Sequence, residues 1–122
     1  MKGKIFHITS REAWNTAQAQ GQYSAPSLTN EGFIHCSTRA QVIPVAEKFY
    51  KGQSRLILLA IDPARLSSDL KWEAPFDGAP PPGVPAGDAF PHIYGPINLD
   101  SVIEVLDLNT SVDGKFVLPS NI

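Results

Sequence analysis

Three short runs place an imidazole two residues before a hydroxyl: His7-Ile8-Thr9, His35-Cys36-Ser37 and His92-Ile93-Tyr94. They account for every histidine in the chain. In an extended segment, residues i and i+2 share a face, so each ring would lie beside its hydroxyl while Ile8, Cys36 and Ile93 point the other way. A neutral imidazole donates and accepts, as a hydroxyl does, and such pairs suit a polar ligand such as a ribose or a phosphate. The competing reading is a satisfied polar side chain at a sheet margin. Three imidazoles with one open position also form a catalytic zinc site. These three are scattered singly, with no His-x-x-His or Cys-x-x-Cys pair, so the spacing assigns no metal and leaves a three-His zinc-dependent hydrolase as an alternative.

Other groups stand near these runs. Arg11 and Arg39 each follow a histidine-hydroxyl unit at the start of an expected helix, where a guanidinium and helix-start amides can hold a phosphate; the competing reading is an ordinary surface charge, as most arginines in such places are. Glu73 in "LKWE" precedes a long loop, where a carboxylate could orient a substrate hydroxyl; the competing reading, favoured when the residue is taken alone, is an exposed strand-end glutamate. Tyr94 offers an aromatic face. Cys36 should face away from His35 on its strand, which removes the thiol-imidazole contact that activates a nucleophile. It reads as a small buried hydrophobe.

The elements that would carry these residues follow from pattern. "KIFHIT" is short and rich in aromatic and β-branched residues, so Lys4 to Ile8 reads as a strand. "TSREAWNTAQAQG" reads as a helix with Thr9 and Glu12 as a capping box and Gly21 as terminator. "QYSAPSLTNE" reads as a loop and "GFIHCS" as a second strand, which sends Ile34 and Cys36 to the core and Phe33, His35 and Ser37 to a cleft. In "TRAQVIPVAEKFYKG" the apolar residues recur at helical spacing, and Pro44 moves the expected helix start to near Ile43. "LILLAI" reads as a central strand buried on both faces. "DLKWEA", "HIYG", "SVIEVLDL" and "KFVLP" read as further strands, and the proline- and glycine-rich segment at about 75–90 as a binding-site loop. Trp14 and Phe49 read as core anchors.

The fold class is therefore α+β: a small single domain, residues 1–122, with a mainly antiparallel split sheet and two helices. At 122 residues and 43% hydrophobic content there is room for one core. A formal charge of −2 gives no field for long nucleic acid. A single cysteine excludes an internal disulfide, no leader pattern is present, and the longest apolar run is too short to cross a bilayer. The expected partners are a small nucleotide or phosphorylated ligand and no membrane, the expected compartment is the cytoplasm, and the oligomeric state is left open.

At "FHITS", "GFIHCST", "LILLAID" and "FPHIYGPINLDSVIEV", in that order, the chain resembles the bacterial domain-of-unknown-function family 952 over nearly its whole length. More distantly, a strand with "HIT", a helix, a strand with "IHCS", a helix and "LILLAID" resemble ADP-ribosyltransferase-like proteins of the RNA 2′-phosphotransferase type. That resemblance implies NAD, or a related ADP-ribosyl or 2′-phosphate compound, as substrate in a cleft between two sheets. It implies that His7 and Thr9 position the ribose and amide, and that His35 and Ser37 bind a ribose hydroxyl or phosphate. His92 and Tyr94 would complete the site, with Glu73 stabilising positive charge on the ribose; His7, His35 and Glu73 are the implied catalytic residues. Ile8 stands where that type has a glycine, and no Glu-x-Glu or Gln-x-Glu pair is present. A non-catalytic module binding the same ligands is the alternative. The geometric expectation on which the whole nucleotide reading hangs is that His7 and His35 face one solvent-reachable hollow.

Overall fold

The computed structural model describes residues 3–75, 78–120 and 122. β1 (Ile5–Ser10) pairs antiparallel along its whole length with β4 (Leu56–Ile61), every residue of which is buried. β4 pairs on its other side with β8 (Val102–Thr110), which meets the short β9 (Phe116–Val117). A second sheet joins β3 (Ile34–His35), β6 (Phe90–Tyr94) and β5 (Asp69–Glu73) in the order β3-β6-β5, and β2 (Gln22–Tyr23) pairs with β7 (Ile97–Asn98). All these pairings are antiparallel. The sheets of β1 and β3 meet at one bridge, where Phe6 and Ser37 exchange two backbone hydrogen bonds of 2.8 Å.

Alternation along β1 and β4 divides the interior. Ile5, Ile57, Leu59 and Ile61 face a core closed by α1 (Arg11–Gln20) through Trp14 and Ala17. Phe6, Ile8, Leu58 and Ala60 face a second core under α3 (Arg39–Phe49). A run buried on both faces is what a continuous apolar strand requires, and β4 lies between the two layers.

Several boundaries differ from the sequence reading. β1 runs to Ser10 because its pairing with β4 continues to Leu56, so Ser10 rather than Thr9 caps α1, accepting a 3.0 Å bond from the Ala13 amide. The segment read as a loop holds β2 and a third helix, α2 (Pro26–Glu31), with proline in its first turn and Gly32 at φ 93° ending it, a conformation that favours glycine. α3 starts at Arg39 and not near Ile43. Thr38 and Gln41 form a reciprocal capping box there, and Pro44 is carried inside the helix at the loss of one backbone bond. Phe49 is exposed rather than a core anchor, whereas Trp14 is buried. Between β5 and β6 the described residues form only turns, closed by Pro81 to Val84 and Pro85 to Asp88 bonds. Phe76 and Asp77 of the expected loop lie outside the described residues.

Candidate functional site

The register of β3 on β6 sets His35 directly opposite His92. Their ring centroids are 5.5 Å apart, and Phe33 packs against both: stacked on His92 at 4.1 Å and edge-on to His35 at 4.8 Å. Each imidazole has a carboxylate. Glu31, the last residue of α2, places Oε1 2.5 Å from His35 Nε2, a contact allowed by the turn at Gly32. Glu73, the last residue of β5, accepts from His92 Nδ1 at 2.8 Å and from the Tyr94 hydroxyl at 2.6 Å, both on the same oxygen.

That sharing has electrical consequences. The Tyr94 and His92 bonds hold the Glu73 carboxyl below the usual range. The Tyr94 hydroxyl, committed to Glu73, is pushed up. Burial holds His92 below the usual imidazole value, and Glu73 offsets part of that. With Nδ1–H donated to Glu73, neutral His92 carries its lone pair on Nε2. Among the described residues no buried side-chain nitrogen or oxygen lacks a hydrogen-bond partner. Among the same residues His92 Nε2 meets no hydrogen-bond partner, so it is not fully buried, and His92 is part of the cavity wall.

The cavity holds about 420 Å³ and is mainly apolar. Its wall includes His35, Ser37 and His92, Ile8 from β1, Phe49 from α3 and Pro81 from the proline-rich loop. Its size falls in the range of small-molecule sites. The structure thus brings His35, Ser37 and His92 together, with Glu73 and Tyr94 held behind His92.

His7 and Thr9 are elsewhere. Both are buried and neither lines the cavity, which corrects the expectation of a hollow shared by His7 and His35. The reason is the face of β1 on which they sit. Ile8 faces the cavity, whereas His7 and Thr9 face the α1 side, where Tyr23 waits on β2. His7 Nδ1–H donates to the His35 carbonyl at 2.6 Å, and Nε2 lies 2.8 Å from the Tyr23 hydroxyl. Tyr23 Oη is in turn 2.9 Å from Thr9 Oγ1. Burial lowers the His7 pKa to about 4, so the ring is neutral and Nε2 accepts. The Tyr23 proton then goes to His7, and the Thr9 hydroxyl donates to Tyr23. Burial pushes Tyr23 up to about 12, which keeps that proton in place. With both nitrogens of His7 occupied, the three imidazoles do not converge, and the described residues contain no group of three or more His, Cys, Asp or Glu arranged to hold a metal.

The two arginines do not reach the cavity either. Arg11 donates from Nη2 to Asp107 at 2.8 Å across the surface, and Arg39 donates from Nε to the Ile122 carbonyl at 3.0 Å and lines a separate groove. Their expected phosphate role at this site is corrected by those pairings. Cys36 borders the cavity as a buried thiol pushed up by burial, which keeps it protonated. Two participants escaped the sequence reading. Glu31 precedes His35 by four, a visible spacing hidden because Gly32 to Ser37 read as one strand. Tyr23 gave no local signal, since its partner His7 is 16 residues away.

Residues 8–105 match the family described as "Protein of unknown function (DUF952)". The chain belongs to this family. Within it, the fold is similar to the crystal structure of protein CC0527 from Caulobacter crescentus, with a TM-score of 0.79, 36% identity and 94% of each chain covered. The solution NMR structure of CC0527 gives a TM-score of 0.73 at 37% identity, covering 92% of this chain and 90% of that one. No curated protein matches the chain. Among the described residues of this family member, no helix is long and apolar enough to cross a membrane.

Proposed function

We propose that the chain acts on the ribosyl part of a nucleotide, NAD or a related ADP-ribosyl compound, bound at the His35 and His92 cavity. The observation that carries this reading is the Glu73 oxygen shared by His92 and Tyr94. It fixes His92 in one tautomer and leaves Nε2 as a base with access to the cavity. With His7 tied behind β3, the expected His7 and His35 footing is lost, and the nucleotide reading rests on different ground, His35 with His92.

The chemistry this supports is hydrolysis of an N-glycosidic bond. Water attacks C1′ as the C1′–N bond breaks, and the pyridinium nitrogen takes the bonding electron pair and leaves as neutral nicotinamide. His92 Nε2 takes the proton of the attacking water and returns it to solvent. The carboxylate of Glu73, behind His92, favours the cationic ribose of the transition state. Transfer to an acceptor hydroxyl uses the same proton path.

A binding role without turnover is favoured by one feature: Glu73 is not itself part of the cavity wall and meets the ligand only through His92. Thermal-shift titration with NAD, ADP-ribose and nicotinamide riboside, followed by a nicotinamide-release assay, separates the two. An enzyme releases nicotinamide and loses that release in His92→Gln. A binder is stabilised by mass action and releases nothing. Absence of any shift with all three compounds, or a shift with zinc alone that a chelator reverses, sinks the nucleotide reading.

A further inference from the structure

The charges around the cavity say more about its ligand than its shape does. Among the described lining residues there is no lysine or arginine; Glu31 is the one carboxylate, and Glu73 stands directly behind His92. The neutral part of the wall is rich in aromatic groups, including Phe49, Tyr50 and Phe90, while Phe33 packs beneath the two imidazoles. Two ammonium groups lie near the site, and each is held over a ring: Lys48 Nζ is 5.1 Å from the Phe49 centroid, and Lys71 Nζ is 4.7 Å from that of Tyr94. Neither lysine lines the cavity. A phosphate entering here would lose water, meet the Glu31 carboxylate and find no guanidinium fork or ammonium among the described residues of the wall. A flat organic cation would find the reverse: the Glu31 carboxylate on the wall and that of Glu73 behind His92 for its charge, ring faces for its body and apolar surface for the rest.

We propose that this cavity selects an organic cation with a flat apolar body and gives phosphate no seat, so that it takes a pyridinium ribonucleoside in preference to its phosphorylated forms and, with NAD, holds only the nicotinamide riboside part while the phosphates stay outside the wall. This rests on the ribosyl reading for the sugar and on the charge of the wall for the cation. His35 and His92 stand opposite each other on one side of the cavity and frame the place a ribose would take, where His92 meets one hydroxyl and Ser37 another.

The test is isothermal titration of the full chain with five probes: 1-methylnicotinamide, nicotinamide riboside, its neutral dihydro form, nicotinamide mononucleotide and ADP-ribose. Nicotinamide riboside should bind about tenfold or more tightly than either the mononucleotide or the dihydro form, because the first adds a phosphate anion that the wall opposes and the second lacks the cation. Glu31→Gln should narrow that gap, and Glu31→Lys should turn the preference toward the mononucleotide. Glu31 is exposed, and circular dichroism of both variants checks that they fold. Tighter binding of the mononucleotide or ADP-ribose overturns the charge selection and leaves the nucleotide reading standing. Binding of 1-methylnicotinamide without any ribosyl compound supports the charge selection and overturns the ribosyl reading. No binding by any of the five overturns both, and an affinity order unchanged in Glu31→Lys overturns the role of the wall charge.

Discussion

His7 and His92 are both strand histidines two residues before a hydroxyl, and both are nearly closed off from solvent. Their settings differ in what each second nitrogen meets. His7 has a carbonyl on one side and a phenol on the other, so its ring is a structural tie between β1, β2 and β3. His92 has a carboxylate on one side and the cavity on the other, so its ring is oriented and chemically available. Burial lowers the basicity of both, yet only His92 has a nearby anion opposing the effect. Burial alone therefore does not separate a tie from a reactive group; the identity of the partner does.

Substitutions at the tie should cost the most folding free energy. His7→Leu leaves the His35 carbonyl and the Tyr23 hydroxyl buried without their partner, and urea denaturation should show a loss of about 3–4 kcal/mol. Acid should act on the same group. The folded pKa of His7 lies at about 4 against 6.5 for the free imidazole. Between those values the unfolded chain binds a proton that the folded chain refuses, so stability falls as pH drops through that window. The loss reaches about 3 kcal/mol and levels off below the folded pKa. Denaturant titrations at successive pH values measure it, and a pH-independent stability over that range would break the contrast.

Smaller effects sharpen the comparison. Tyr23→Phe keeps the ring but takes one partner from His7 and one from Thr9, and should lose about 1–2 kcal/mol by the same denaturation. Glu73→Gln should lower the pKa of His92 further, since the carboxylate raises it, and NMR titration of the imidazole resonances reads that directly; an upward shift would contradict the pairing. His35→Ala should stay within about 0.5 kcal/mol of the parent chain, because its side chain is 44% exposed, while abolishing nucleotide-dependent stabilisation in a thermal-shift assay. A large folding loss there would make His35 a second tie.

The sequence carried β1 and β4 well, because a continuous β-branched and apolar run states both the strand and its burial. It carried α1 and α3 through their helical periodicity, with end points moved by a residue at Ser10 and by several at Thr38. α2 was hidden because six residues offer no apolar period, and its proline start and glycine stop also fit a loop. Alternation correctly placed His7 and Thr9 on one face of β1 with Ile8 on the other. Which of those faces borders the cavity depends on where β2, β3 and α3 pack, and no local pattern states that. The pairing of His35 with His92 is of the same kind: its sequence separation is 57 positions, and only the β3-β6 register brings the rings together.

The Phe6 and Ser37 exchange has a mechanical consequence. Those two main-chain contacts are where the two larger sheets join, and Ile8 and Ser37 line the cavity from opposite sides of that join. A molecule seated there would span the seam like a rivet. Deuterium uptake at these two amides would then slow on ligand addition, giving a readout of occupancy that needs no turnover.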